Sequence, residues 1–65
     1  MKILLWEMRN KHNISLNVLA AKTGISKSTL HRIETGKTSP TIDKLEEIAK
    51  TMKVKITDLF DSEYK

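Results

Sequence analysis

The sequence predicts an all-α domain of five short helices, and three observations support that fold class. Apolar residues recur at helical spacing along the 65-residue chain, and no segment alternates apolar with polar residues as a strand does. Only two glycines and one proline occur, so the breaks between helices are few. At this length we expect a single domain over residues 1–65. Because cysteine is absent, an apolar core rather than disulfides must hold it together.

Capping residues set the expected boundaries of the helices. The preferred N-cap residues serine and threonine stand before three of them, at Ser15, Ser26 and Thr41. Residues that tolerate the left-handed conformation of a helix end occur at Asn13, Gly24 and Gly36. The predicted helices cover about residues 2–12, 16–23, 27–35, 42–52 and 56–61, and residues 62–65 form a frayed tail. Lys53 ends the fourth helix where glycine or asparagine would fit with less strain.

The apolar stripes of these helices define the expected core. Its members share helical spacing and are Leu5, Met8, Leu19, Ala20, Ile25, Leu30, Ile33, Ile42, Leu45, Ile48, Ala49, Met52, Ile56, Leu59 and Phe60. A chain of this length buries only about 60% of the surface that its unfolded form exposes, so we expect modest stability.

The third predicted helix has two unlike halves. At about 100° per residue, its basic and hydrogen-bonding side chains share one half: Lys27, Ser28, His31 and Arg32. Its small and apolar side chains share the other: Thr29, Leu30 and Ile33. If the apolar half packs on the domain, the basic half projects outward, and a projecting helix of this kind fits the major groove of DNA. The four polar residues are therefore candidates for base reading; the alternative is a solvated face that is basic by chance.

The distribution of charge points in the same direction. Residues 1–40 hold seven basic and two acidic residues, a net charge of +5, whereas residues 41–65 hold five lysines and six acidic residues, a net charge of −1. A basic half beside a nearly neutral half indicates a polyanionic partner. A soluble surface that happens to be basic would give the same numbers.

Other functional classes find little support in the sequence. His12 and His31 are nineteen residues apart without companion ligands, and no glycine-rich phosphate loop or nucleophile motif occurs. We therefore expect no enzyme activity, no metal and no cofactor. The apolar run in MKILLW is too short for a signal peptide or a membrane span, which predicts a cytoplasmic protein without membrane association.

Residues 15–36 contain two short helices joined by a tight glycine turn, the pattern of a helix-turn-helix. The spacing S-x-x-x-L-A-x-x-x-G-I-S is followed by S-x-x-x-x-I-E-x-G-K and then by P-x-x-x-x-L-x-x-I-A. In these features the sequence resembles the phage repressor and Cro, or XRE-type, family of DNA-binding proteins. The resemblance covers nearly the whole chain.

The resemblance implies a function and assigns roles to residues. It implies a transcriptional regulator, a repressor in our prediction, that reads double-stranded DNA with its third helix and binds inverted-repeat operators as a homodimer. Base contacts fall to Lys27, Ser28 and Arg32, beside His31. The expected phosphate contacts are Ser15, Asn17, Ser26, Thr35, Lys37, Thr38 and Thr41. It also implies an ion pair between Arg9 and Glu34 that fixes the third helix, although Glu34 could instead be a plain surface acid.

The sequence departs from the family at the start of the second helix, where Leu16 replaces the usual phosphate-binding glutamine. Leu16 cannot make that hydrogen bond, although Asn17 or the backbone N–H groups could replace it. Leu16 joins Trp6 and Val18 as expected exposed apolar residues. Singly exposed apolar residues are common. Alternatively, some of these three residues form a protein contact, either a dimer interface or a partner site. A dimer interface could also come from the last helix and the tail, around Phe60 and Tyr64, or from the first helix. A partner site at Trp6, Leu16 and Val18 would make the chain a protein-interaction module of the antitoxin or anti-repressor type.

Overall fold

The computed structural model describes residues 1–65 and contains four α-helices. They are α1 (Leu5–His12), α2 (Leu16–Thr23), α3 (Lys27–Glu34) and α4 (Ile42–Met52). A 3-10 turn, Ile56–Leu59, follows them, and two short strands, β1 (Lys2–Ile3) and β2 (Phe60–Asp61), lie near the two ends of the chain. The predicted helical fold is confirmed, but the count of five helices is wrong by one.

The predicted N-caps and helix ends are present. Ser15 and Ser26 each accept a hydrogen bond at 3.1 Å from the N–H group of the third residue of the helix that follows, and Thr41 does so at 3.2 Å. Asn13 and Lys53 adopt positive φ values of 55° and 58° at the ends of α1 and α4. The predicted strain at Lys53 thus has a geometric basis, because a lysine there bears the cost of a left-handed backbone.

The core consists of nine buried residues that all come from the predicted apolar stripes. They are Leu5, Leu19, Leu30, Ile33, Leu45, Ile48, Ala49, Met52 and Leu59. Ile42 is the exception within α4, since it is 70% exposed. The first turn of α4 lies wholly at the surface, so the stripe meets the core only from Leu45 onward.

The ends of the chain pair with each other, which corrects the first and last predicted helices. Lys2 lies opposite Asp61 and Ile3 opposite Phe60 in an antiparallel pair, and the Leu4 N–H donates to the Leu59 carbonyl at 2.8 Å. Residues 2–4 are therefore outside α1, and β2 takes the place of the last helical turn. This pairing joins residues far apart in sequence, so no local periodicity could indicate it.

No helix in the structure is long and apolar enough to cross a lipid bilayer.

Candidate nucleic-acid interface

Helix α3 presents the four candidate base-reading residues on one outward face. Lys27, Ser28, His31 and Arg32 are all exposed. Leu30 and Ile33, on the opposite side, are completely buried. The burial of those two side chains fixes the rotation of α3 about its axis, and that rotation turns the basic face to solvent. We refer to the four exposed residues as the α3 face.

The α3 face is free of internal partners. None of its side chains forms a hydrogen bond or an ion pair within the chain. The bonds that His31 and Arg32 do accept, from Thr35 and from the loop after α3, are all to their main-chain carbonyls. No acidic side chain lies among them, because the one acid of α3, Glu34, is half-buried and paired. The face therefore presents unsatisfied donors and positive charge in a single patch.

Arg9 and Glu34 form a bidentate ion pair between α1 and the end of α3. Arg9 Nε and Nη2 lie 2.8 Å from the two carboxylate oxygens of Glu34, and the two side chains are only 13% and 6% exposed. The hydrogen bond to Glu34 raises the pKa of Arg9, against the lowering effect of burial.

The same guanidinium also fixes the turn between α1 and α2. Arg9 Nη1 donates to the Ile14 carbonyl at 3.0 Å, just before the N-cap of α2. One arginine thus connects α1, the entry to α2 and the last residue of α3. Its pairing also neutralises the only carboxylate of α3.

The seven candidate phosphate contacts are all exposed, but their hydroxyls differ in availability. The Ser26 hydroxyl lies 2.8 Å from the Thr29 hydroxyl, and the Thr35 hydroxyl donates to the His31 carbonyl at 2.9 Å. Those two must rotate before they can bind an anion. Ser15 and Thr41 accept cap bonds and retain their hydroxyl hydrogens, whereas the side chains of Asn17, Lys37 and Thr38 form no internal hydrogen bond.

The loop after α3 is anchored to the helix through its backbone. The N–H groups of Lys37 and Thr38 both donate to the Arg32 carbonyl, at 2.9 and 3.2 Å, and Gly36 donates to Ile33 at 3.2 Å. This arrangement fixes the backbone of Lys37 just beyond the C-terminal end of α3.

Three helices begin close to predicted phosphate contacts. In α2, α3 and α4 the first two backbone N–H groups have no partner within the chain, because the side chain of each N-cap residue accepts only from the third N–H group of its helix. Unpaired N–H groups at a helix start, with the positive end of the helix dipole, attract anions.

The candidate protein-contact residues are not equivalent. Trp6, Val18 and Tyr64 are exposed, by 55%, 44% and 89%. Leu16 is half-buried and packs against the core, so the expectation that it is exposed is wrong. At the first position of α2 the apolar side chain of Leu16 turns toward the domain, whereas a polar side chain there could turn to solvent.

Phe60 is also half-buried, and the Lys65 ammonium lies 5.6 Å from the centre of its ring. Sequence reasoning missed Ile42, which is more exposed than any of the predicted contacts except Tyr64. Its position at the first turn of α4 was the signal available.

Comparison with known proteins gives consistent matches. A family model described as helix-turn-helix matches residues 7–59. An HTH-type transcriptional regulator of Bacillus subtilis, SlrR, is 41% identical over 56 residues, which cover 85% of this chain and 37% of SlrR. The chain therefore spans little more than a third of the length of that relative.

Two further matches extend over most of both chains. An uncharacterised HTH-type transcriptional regulator of Methanocaldococcus jannaschii is 42% identical over 60 residues, which cover 92% of this chain and 91% of the relative. The N-terminal DNA-binding domain of SinR from Bacillus subtilis superimposes with a TM-score of 0.76 at 31% identity, over 92% of this chain and 88% of that domain.

Proposed function

The chain belongs to the XRE-type helix-turn-helix family, and we propose that it is a sequence-specific regulator of transcription. In this proposal each copy of the chain is a single domain that binds double-stranded DNA. In this proposal α3 enters the major groove of an operator half-site. The bound protein represses by occupying the promoter, so that polymerase is excluded.

The observation that carries the proposal is the α3 face, a basic and partner-free surface on a helix with a buried back. Lys27 and Arg32 can donate to O6 and N7 of guanine, and Ser28 can pair with several bases. His31 can donate or accept. Lys27 and Ser28 lie in the first turn, from which side chains reach deepest into the groove.

The phosphate contacts flank this face in the proposal. Lys37 and Thr38 follow the C-terminal end of α3, and Ser15, Asn17 and Thr41 lie at the starts of α2 and α4. Contacts to the backbone fix the register of the domain on the duplex but carry no base specificity. They also make affinity fall steeply with salt.

We infer that the chain binds as a homodimer, and the short length of the reading helix supports this. Eight residues at 1.5 Å each give α3 a length of about 12 Å, which reaches only one half-site. Two-fold symmetry doubles the contacts and explains an inverted-repeat operator. The exposed aromatic side chains of Trp6 and Tyr64 are the candidates for the contact between the two copies. Sedimentation at micromolar concentration measures the mass directly.

The proposal is tested by selecting the duplexes that the protein binds from a random pool. The protein is then titrated with the selected duplex and with random DNA at two salt concentrations. We expect a half-site motif and binding that weakens with salt. A Lys27→Ala/Arg32→Ala variant should lose the selected site while retaining weak binding to random DNA. Lys50→Ala is the control, because Lys50 lies in the last turn of α4, at the opposite end of that helix from the start proposed to meet DNA.

A protein-interaction module on the same scaffold is the second candidate, and the exposure of Trp6 and Val18 is the observation that favours it. The absence of a hydrogen-bonding side chain at Leu16 also fits that function. The titration separates the two: a chain that binds no duplex at low salt is not a DNA-binding regulator.

A further inference from the structure

The pair of strands β1 and β2 has two outer edges, and its register shows which backbone groups face them. Ile3 lies opposite Phe60, and at the next position the Leu4 N–H donates to the Leu59 carbonyl at 2.8 Å. Hydrogen-bonded and non-hydrogen-bonded positions alternate along an antiparallel pair, so Ile3 and Phe60 form a non-hydrogen-bonded position. The backbone N–H and carbonyl groups of these two residues therefore point away from the partner strand.

The two outer edges are not equivalent. At the edge of β2, the Phe60 carbonyl accepts a hydrogen bond from the Lys65 ammonium at 2.9 Å, so a lysine covers that edge. At the edge of β1, the N–H and carbonyl of Ile3 have no hydrogen-bond partner within the chain. An uncovered strand edge is a template on which another extended segment can pair.

A cleft of about 530 Å³ lies along β1. Residues 1–3 line one side of it, residues 34–36 and 38–40 line the other, and no residue of β2 takes part. The backbone carbonyls of residues 35–40 accept no hydrogen bond within the chain, and the N–H and hydroxyl of Ser39 donate none. The residues that face β1 across the cleft therefore also carry uncommitted hydrogen-bonding groups.

The far wall of the cleft, formed by residues 34–36 and 38–40, limits what can pair with β1. Two copies of the chain joined edge to edge about a two-fold axis would bring both of their walls to the same junction. A single extended segment brings no such wall, so it can lie beside Ile3 where a folded copy cannot. The cleft therefore favours a peptide segment over a second copy of the domain.

The charges beside β1 favour an acidic residue in that segment. Lys2 and Glu34 are the charged residues that line the cleft, and both carboxylate oxygens of Glu34 are bonded to Arg9. Lys2 is 72% exposed, and its contact with Glu7, at 3.8 Å, is too exposed to hold the ammonium firmly. On the paired side of β1, Lys2 already lies opposite an acid, Asp61. An added strand places a second residue opposite Lys2, and opposite charges at such positions attract.

We propose that the outer edge of β1 binds an extended, acidic peptide segment of a partner protein as a third, antiparallel strand. One residue of the segment exchanges both backbone hydrogen bonds with Ile3, and the next residue, an acid, lies opposite Lys2. Backbone bonds then supply affinity and the acidic residue supplies specificity. This binding does not depend on the proposed recognition of DNA.

The probe is a blocked pentapeptide with threonine at both ends, valine at the second and third positions and aspartate at the fourth. The amide resonance of Ile3 in the full chain is followed by NMR during titration. We expect a saturating shift with this peptide and none with a peptide N-methylated at the third position, which cannot donate to the Ile3 carbonyl. A peptide with lysine in place of aspartate should bind about 2- to 5-fold more weakly. No saturating response to the aspartate peptide, or an equal response to the N-methylated one, would overturn the proposal.

Variants of the chain separate the two parts of the proposal from other occupants of the cleft. Lys2→Ala should bind the aspartate and lysine peptides equally while remaining sensitive to N-methylation, and the control Lys50→Ala should behave as the wild type does. A preference for aspartate that survives in Lys2→Ala would contradict the role of Lys2. An Ile3 resonance that moves with protein concentration alone would assign the edge to a second copy. One that moves with random duplex but not with peptide would assign the cleft to DNA, and either result would refute the peptide site without bearing on the proposed regulator.

Discussion

Breaking the ion pair between Arg9 and Glu34 should destabilise the domain more than any other change to a charged residue. Replacement of either partner, as Arg9→Met or Glu34→Leu, leaves the other charge in a site where the two side chains are only 13% and 6% exposed. Losing one partner of a fully buried pair costs about 3–5 kcal/mol, and this half-buried pair should lie at the lower end of that range. Arg9→Met also removes the bond to the Ile14 carbonyl.

That loss is large on the scale of so small a domain. At roughly 0.05–0.15 kcal/mol per residue, 65 residues give an unfolding free energy of about 3–10 kcal/mol. A loss of about 3 kcal/mol removes a third or more of it. At about 4–8 °C per kcal/mol, the melting temperature should fall by about 12 °C or more.

The assay is urea denaturation followed by circular dichroism, arranged as a double-mutant cycle. Each single variant should lose about 3 kcal/mol, and Arg9→Met/Glu34→Leu should lose less than the sum, because two apolar side chains leave no unpaired charge. The matched control is Glu7→Gln, which breaks the exposed pair with Lys2 and should change stability by less than about 0.5 kcal/mol. Single losses below about 1 kcal/mol, or additive losses in the double variant, would refute the reasoning.

The pH dependence of this effect follows from the pKa of Arg9. Pairing raises that pKa, so the contribution is complete at every pH below the ordinary value for arginine and disappears only as pH rises through the raised value. The loss caused by Arg9→Met should therefore be the same at pH 7 and pH 9. A loss that shrinks between those two pH values would place the deprotonation of Arg9 far lower than the structure implies.

Three further substitutions test separate features. Arg32→Ala should cost about 1–3 kcal/mol in operator binding and relax specificity at one base pair, measured by competition among single-base operator variants. Lys37→Ala should weaken binding to operator and to random DNA by the same factor and lower the salt slope by about 0.9. If Arg32→Ala and Lys37→Ala each affect the two DNAs equally, the separation into base and phosphate contacts is wrong. Lys53→Gly should raise the unfolding free energy by about 0.5–1 kcal/mol. Glycine avoids the cost of about 1–2 kcal/mol of the left-handed backbone, but its greater conformational freedom in the unfolded chain offsets part of that gain. An unchanged urea midpoint would contradict this.

The features that the sequence predicts well are those decided by neighbours in sequence. Ser15, Ser26 and Thr41 cap helices because a hydroxyl three residues before a free N–H group can satisfy it wherever the helix lies in the fold. The α3 face is of the same kind. Leu30 and Ile33 lie on one side of a single helix, and burying them dictates where the polar side points.

The features that the sequence does not predict are those decided by the opposite end of the chain. Ile3 and Phe60 pair as strands although each lies in a pattern that also suits a helix. The helix-like spacing at residues 56–61 is real, but only one 3-10 turn forms before the chain must run antiparallel to β1.

The two kinds of constraint meet at α3 and separate stability from recognition. The rotation of α3 is set by Leu30 and Ile33, and its end is fixed by the ion pair of Glu34 with Arg9. These three residues of α3 therefore stabilise the fold. The side chains of the α3 face contribute no hydrogen bond or ion pair within the chain, so substitutions there should change folding stability little. If α3 reads DNA as proposed, new operator preferences can therefore arise by changing Lys27 or Arg32 at almost no cost to folding. That freedom lasts only while the ion pair behind the helix is intact.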